Sequence, residues 1–145
     1  MAEYNRKLHF SAPEAKILIV DDIPTNIRTT KEILRPCGAK VYISLSGAKA
    51  IEMLQHERYD LVFMDQMMPE MNGMEAISRI RDLPSDDGYF RKLPIVVLTA
   101  NSLDGLEEVL VGTIGASGFL TKPIDQEKIF DIIEKMLPAE KVIRV

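Results

Sequence analysis

The sequence predicts a doubly wound α/β fold: a five-stranded parallel sheet with helices on both faces. Three observations predict it. Strand-sized apolar runs alternate five times with stretches of helical periodicity along 145 residues. Strands that alternate with helices pair in parallel through right-handed crossovers. The first, third and fourth strands are continuously apolar rather than alternating, the mark of strands covered on both faces. Composition agrees: 46% of residues are apolar and 28% charged, enough for a real core and a soluble surface. That excludes a disordered acidic tail and argues against a two-domain enzyme at this length.

The elements follow in order. Residues 1–14 are polar, end at Ala12-Pro13-Glu14 and read as a loose leader. Lys16–Val20 is the first strand. Pro24–Arg35 carries Ile27, Ile33 and Leu34 at near-helical spacing, and Pro36-Cys37-Gly38 stops it. Lys40–Ser44 is an alternating strand. Ser46–Glu57 opens on a Ser N-cap and places Ile51 and Leu54 on one helix face. Asp60–Met64 is the third strand. Glu70–Leu83 carries Met74, Ile77 and Ile80 in three-residue steps, a helix face. Pro84–Lys92 is a polar loop and Leu93–Leu98 the fourth strand. Leu103–Val111 reads as a helix through Leu103, Leu106 and Leu110, and Ala116–Leu120 as a short fifth strand. Asp125–Leu137 carries Ile129, Ile133 and Met136, and Pro138 ends it. Two strand orders fit five such units. The flavodoxin-like order 2-1-3-4-5 is the commoner for so short a chain and is the expectation.

Charge and cysteine usage narrow the function classes. Eighteen basic against 22 acidic residues give −4, no footprint of a nucleic-acid binder. Cys37 is the single cysteine, so no internal disulfide forms. No apolar run approaches a membrane span, and Met1–Lys7 lacks a signal-peptide core. The expectation is a cytoplasmic domain without membrane contact.

Open parallel sheets bind ligands beyond the carboxyl ends of their strands. Asp21 and Asp22 follow the first strand, Asp65 the third, Thr99 the fourth, and Lys122-Pro123 the fifth. Three carboxylates gathered at one edge cannot all stay ionised without a cation. A hard divalent ion such as Mg²⁺ suits them, since it binds through one or two carboxylates, waters and phosphoryl oxygens. An Asp carboxylate also attacks phosphorus, giving an aspartyl-phosphate. Asp65 stands alone at the central strand and is the nucleophile candidate; the Asp21-Asp22 pair suits metal capture. Taken singly, each Asp is as readily a helix cap or turn former, Thr99 a strand-end residue and Lys122 a solvated charge. Their joint placement on one edge is what favours the chemistry.

These residues resemble a known family. Ile17-Leu18-Ile19-Val20-Asp21-Asp22, Met64-Asp65-Gln66-Met67-Met68-Pro69-Glu70-Met71-Asn72-Gly73, Leu98-Thr99-Ala100-Asn101 and Phe119-Leu120-Thr121-Lys122-Pro123 are similar to the receiver domain of two-component signalling. The surrounding text and the long loop Pro84–Lys92 are most like receivers of hybrid histidine kinases. The resemblance covers about Ala15 to Leu137. It implies a receiver over 15–137, a leader over 1–14 and a tail over 138–145. It implies that Asp65 accepts the phosphoryl group. Asp22, Asp65 and the backbone carbonyl of Met67 would then ligate Mg²⁺, with Asp21 acting through a metal-bound water. Thr99 and Lys122 would bind the phosphoryl group, and Thr99 with Phe119 would form the switch. Phe119 lacks the hydroxyl of the Tyr often found there, so any rotation would be driven by packing. The Lys122–Pro123 bond resembles one that is usually cis.

The implied partner is a histidine kinase or a histidine phosphotransfer protein, with a weak or phosphorylation-dependent homodimer as a further state. Phosphorylation would bias a surface of the fourth helix, fifth strand and fifth helix. No independent turnover is expected beyond self-phosphorylation and slow dephosphorylation, because the apolar Met67 cannot orient an attacking water. Neither flank is long enough for a DNA-binding or kinase domain, so the output is expected in another polypeptide segment.

Two alternatives remain at this point. A phosphatase working through an aspartyl-phosphate needs an Asp-x-Asp pair after the first strand, and Ile23 fills the second-acid position. A receiver-shaped module that is never phosphorylated would lack a site residue, and none is missing. Gly-x-Gly-x-x-Gly and P-loop elements are absent, which argues against a nucleotide or flavin binder. His9 and His56 lack metal-ligand spacing, and Cys37 reads as structural. Gly73 reads as a turn residue entering the third helix. Met64 and Met74 read as core, and Met67, Met68 and Met71 as lying near the site mouth.

Overall fold

Residues 10–100 and 108–144 are described in the computed structural model. Seven strands occur among them: β1 (Phe10–Ser11), β2 (Lys16–Val20), β3 (Lys40–Ser44), β4 (Leu61–Asp65), β5 (Ile95–Thr99), β6 (Gly118–Thr121) and β7 (Ile143–Arg144). The main sheet is parallel, with order β3-β2-β4-β5-β6. Counted from Lys16–Val20 this is 2-1-3-4-5, the order of the flavodoxin-like fold. The helices are α1 (Pro24–Leu34), α2 (Gly47–His56), α3 (Gly73–Arg81), the short α4 (Tyr89–Lys92) and α5 (Gln126–Met136), with a π-helix over Glu108–Ile114.

The continuous apolar strands divide their side chains between two cores. Ile17, Ile19, Phe63, Val96 and Leu98 pack against Ile27 and Leu34 of α1 and Ile129 and Ile133 of α5. The intervening Leu18, Val20, Val62, Met64, Ile95 and Val97 face Ala50 and Leu54 of α2 and Ala76, Ile77 and Ile80 of α3. Period-2 side chains on a sheet covered twice produce an unbroken apolar text. Each fully buried Leu, Ile or Phe contributes about 1.5–3 kcal/mol.

Side-chain caps start three of the helices. Ser46 Oγ accepts from the Lys49 amide at 3.1 Å, and Asn72 Oδ1 from the Glu75 amide at 2.9 Å. Asp125 Oδ1 accepts from the Glu127 amide at 2.9 Å. The Asn72 cap moves the start of α3 from the expected Glu70 to Gly73. Glu70 itself has φ 67°, which no helix interior accommodates. The hydrophobic period of α3 begins only at Met74, so the text N-terminal to it carried no helical information.

Two further expectations change. The polar loop Pro84–Lys92 contains α4, anchored by Tyr89. The Tyr89 hydroxyl donates to Tyr59 O at 2.9 Å and accepts from Tyr59 N at 2.7 Å. Phe10, within the stretch expected to be a loose leader, pairs antiparallel with Arg144, as Ser11 does with Ile143. Phe10 and Ala12 are buried, and Lys141 Nζ lies 3.0 Å from Asp60 Oδ2. Composition averages over a stretch, whereas burial acts on single side chains. The first nine residues, His9 among them, lie outside the described residues. So does the expected helix from Leu103 through Leu106; its later part is the π-helix, with Leu110 buried in the second core.

Cys37 is free and buried, and burial pushes its thiol above the ordinary range. Only the thiolate reacts. A thiol reagent at neutral pH is therefore expected to leave the folded protein unlabelled and to label it fully in denaturant. Equal labelling rates in the two conditions would contradict this. Among the described residues no helix is long and apolar enough to cross a membrane.

Candidate functional site

Parallel pairing brings the carboxyl ends of the strands to one edge. The register sets Val20 beside Met64 and Asp65 beside Leu98. One step beyond Val20, Asp21 therefore comes level with Asp65. Thr99 pairs with Thr121, which carries Lys122 to the same edge. The Asp21, Asp22 and Asp65 carboxylates each offer an oxygen, all within 4.8 Å of one another. Lys122 Nζ lies 2.9 Å from Asp65 Oδ1 and 3.7 Å from Asp21 Oδ2.

The electrostatics are unbalanced. Asp21 and Asp65 are buried, and Asp22 is partly so. Burial pushes the Asp65 carboxyl above its ordinary range. Asp21 and Asp22 push the same way, and the Lys122 hydrogen bond opposes them. Asp21 Oδ1 accepts from the Ile23 amide at 2.9 Å, so one oxygen holds the turn while the other faces Lys122. Asp22 Oδ1 is buried and has no hydrogen-bond partner among the described residues. A buried, orphaned carboxylate oxygen beside two further acids and one ammonium matches the demand of a hard divalent cation for oxygen ligands.

The floor of the site is backbone. The Gly73 amide donates to Gln66 O at 2.9 Å. A Cβ at Gly73 would stand 2.2 Å from Asp65 O. The turn role expected of Gly73 is thus replaced by close approach: α3 begins against the backbone of Asp65. The Lys122–Pro123 peptide is cis. Phe119 is half-buried and packs against the second core.

Sequence reasoning missed a contact that Thr99 makes. Its buried hydroxyl donates to Oε1 of Gln66, also buried. The only available signal was the position of Gln66 next to Asp65. Met67 is 73% exposed at the rim, and Met68, expected near the mouth, is buried in the second core. Ile23 and Leu45, on the loops that leave β2 and β3, are also exposed. A cavity of about 520 Å³ opens at the opposite edge, lined by Arg58, Tyr59, Tyr89 and Pro94 among others, and holds none of the site residues.

Comparison with known proteins joins this geometry to a family. A family model described as the response regulator receiver domain matches residues 17–134. The chain belongs to the response regulator receiver domain family. The receiver is 30% identical over 126 residues to the signal transduction histidine-protein kinase BarA of Escherichia coli K12, covering 87% of this chain and 13% of BarA. It is 34% identical over 125 residues to the sensor histidine kinase GacS of Pseudomonas protegens, covering 86% of this chain and 13% of GacS. The chain thus spans about an eighth of the length of these kinases. Among solved structures it resembles the receiver domain of the sensor histidine kinase PA1611 of Pseudomonas aeruginosa, with magnesium coordinated in its active site cleft. That likeness has a TM-score of 0.74 at 30% identity, covering 84% of this chain and 96% of the other.

Proposed function

We propose that this receiver takes a phosphoryl group from a phosphohistidine onto Asp65, and that the partner is a histidine kinase or histidine phosphotransfer protein. The observation that carries the reading is the gathering of Asp21, Asp22, Asp65 and Lys122 at one sheet edge, with an orphaned Asp22 oxygen among them. An Asp65 carboxylate oxygen attacks phosphorus. The P–O bond forms as the P–N bond breaks, and the electron pair of that bond returns to the imidazole. Lys122 holds its ammonium beside the carboxylate that receives the charge. The Thr99 hydroxyl donates a hydrogen bond to a phosphoryl oxygen, and Phe119 repacks in response.

Asp22, Asp65 and the Met67 carbonyl would hold Mg²⁺, with Asp21 behind a bound water. The ion would supply positive charge opposite the phosphoryl oxygens. The magnesium in the cleft of the PA1611 receiver supports this assignment. The described residues fit such an ion, because one Lys122 cannot balance three acids.

Intact-mass measurement after incubation with Mg²⁺ and acetyl phosphate tests the reading. One acid-labile phosphate is expected, and Asp65→Asn removes it. With the exposed, apolar Met67 unable to orient water, the adduct is expected to outlast minutes. Release of inorganic phosphate with no adduct would mean turnover by a phosphatase. No adduct and no release would mean a receiver-shaped binding module.

A further inference from the structure

The Gln66–Thr99 hydrogen bond joins two buried side chains 33 residues apart in sequence, directly beside Asp65. The sheet register enforces it. Asp65 pairs with Leu98, and the Gln66 amide donates to Leu98 O at 3.0 Å, so Gln66 and Thr99 leave β4 and β5 at the same level. The other end of the Gln66 amide is poorly served. Its Nε2 reaches Met74 Sδ at 3.9 Å, and a thioether is a weak acceptor. Among the described residues, the strong partner of this amide is Thr99.

A threonine hydroxyl carries a single proton. It donates to Gln66 Oε1 or to a phosphoryl oxygen on Asp65, never to both at once. When Thr99 turns to the phosphoryl group, Gln66 Oε1 loses its donor in a buried position, and an unmet buried acceptor is costly. We propose that Gln66 is a positioning residue that holds the Thr99 hydroxyl in the unphosphorylated receiver, so that the phosphoryl group must take the hydroxyl from it. The inference rests on the reading of Asp65 as phospho-acceptor. It makes Gln66, rather than Thr99 alone, the residue that sets how readily the domain switches.

The test is calorimetric titration of the whole chain with beryllofluoride, a phosphoryl mimic, at saturating Mg²⁺. Gln66→Leu removes the competing acceptor and is expected to tighten binding about three- to tenfold, the scale of one neutral hydrogen bond. Gln66→Met, of similar length, repeats the effect should the leucine disturb packing. In a Thr99→Val background, Gln66→Leu is expected to change nothing. In carbon-13 spectra of the wild type, the Gln66 side-chain carbonyl is expected to move on loading, and Thr99→Val alone moves it without ligand. Unchanged affinity in both Gln66 variants would overturn the proposal. So would equal tightening with and without Thr99, which would mark a packing role. A wild type that binds no beryllofluoride and gains no phosphate would overturn the Asp65 reading itself, and this proposal with it. A wild type that binds normally while the Gln66 variants stay flat would overturn this proposal alone.

Discussion

Gly73→Ala is expected to cost roughly 3 kcal/mol of folding stability, the upper end for an overpacked site. The new Cβ would fall 2.2 Å from Asp65 O and 3.0 Å from the Asp65 carbonyl carbon. Neither atom is the free end of a side chain. Asp65 O belongs to the end of the central strand, whose neighbours β2 and β5 hold it in register. From the other side, α3 cannot retreat without breaking the bond from the Gly73 amide to Gln66 O and the Asn72 cap. Domains of this size keep only about 5–15 kcal/mol in all. The melting temperature should therefore fall by on the order of 10 °C. The surviving folded fraction should also phosphorylate slowly, because any relaxation displaces the backbone that carries the Asp65 carboxylate. Chemical denaturation with circular dichroism, followed by adduct formation in native buffer, measures both. A loss under about 0.5 kcal/mol with normal phosphorylation would mean that the approach of α3 to Asp65 is not tight.

What could be read in advance depended on the range over which each signal acts. The strand order and the site edge followed from a local rule, since apolar runs as continuous as Leu61–Met64 occur where both faces are covered. Parallel strands then place Asp21, Asp65, Thr99 and Lys122 together without further information. Features that depend on single long-range contacts were hidden. Phe10 lies in a polar stretch, yet pairs across the chain with Arg144. Tyr89 sits in a loop of aspartates and glycine, yet its hydroxyl closes on both backbone groups of Tyr59. Gln66 looked like a neighbour of the site, and only the β4–β5 register shows that it meets Thr99. The start of α3 was misread because periodicity marks which face is buried, whereas the cap at Asn72 marks where the helix begins. The burial of Met68 escaped for a related reason: a methionine in a short loop has no periodic context to assign its face.

The acid cluster leads to a result with opposite signs in two buffers. Asp22→Asn is expected to raise the melting temperature slightly in a metal-free buffer containing chelator, and to abolish the rise that Mg²⁺ gives the wild type. Without metal, the Asp22 carboxylate stands within 4.8 Å of two other acids, which cannot all stay ionised together, and its buried Oδ1 finds no donor among the described residues. An uncharged amide in its place ends the like-charge repulsion and brings donor protons toward the Asp21 and Asp65 oxygens. With metal, the wild type gains stability by mass action, about 2.7 kcal/mol when the ion stands at a hundredfold excess over its dissociation constant. On the proposed assignment of Asp22 to the ion, the variant would lose a charged oxygen ligand. Its Mg²⁺ affinity should fall by more than the roughly 10- to 100-fold that loss of an outer-shell partner costs. Paired thermal melts with chelator and with a Mg²⁺ series read both signs in one experiment. Lys122 provides the internal comparison. Lys122→Met removes the ammonium that lies 2.9 Å from Asp65 Oδ1, which leaves the three acids more dependent on a cation. That variant should melt lower with chelator and recover more on adding Mg²⁺ than the wild type does. If Asp22→Asn melts lower in chelator and still gains with Mg²⁺, Asp22 is a structural carboxylate and the three acids are not a metal site.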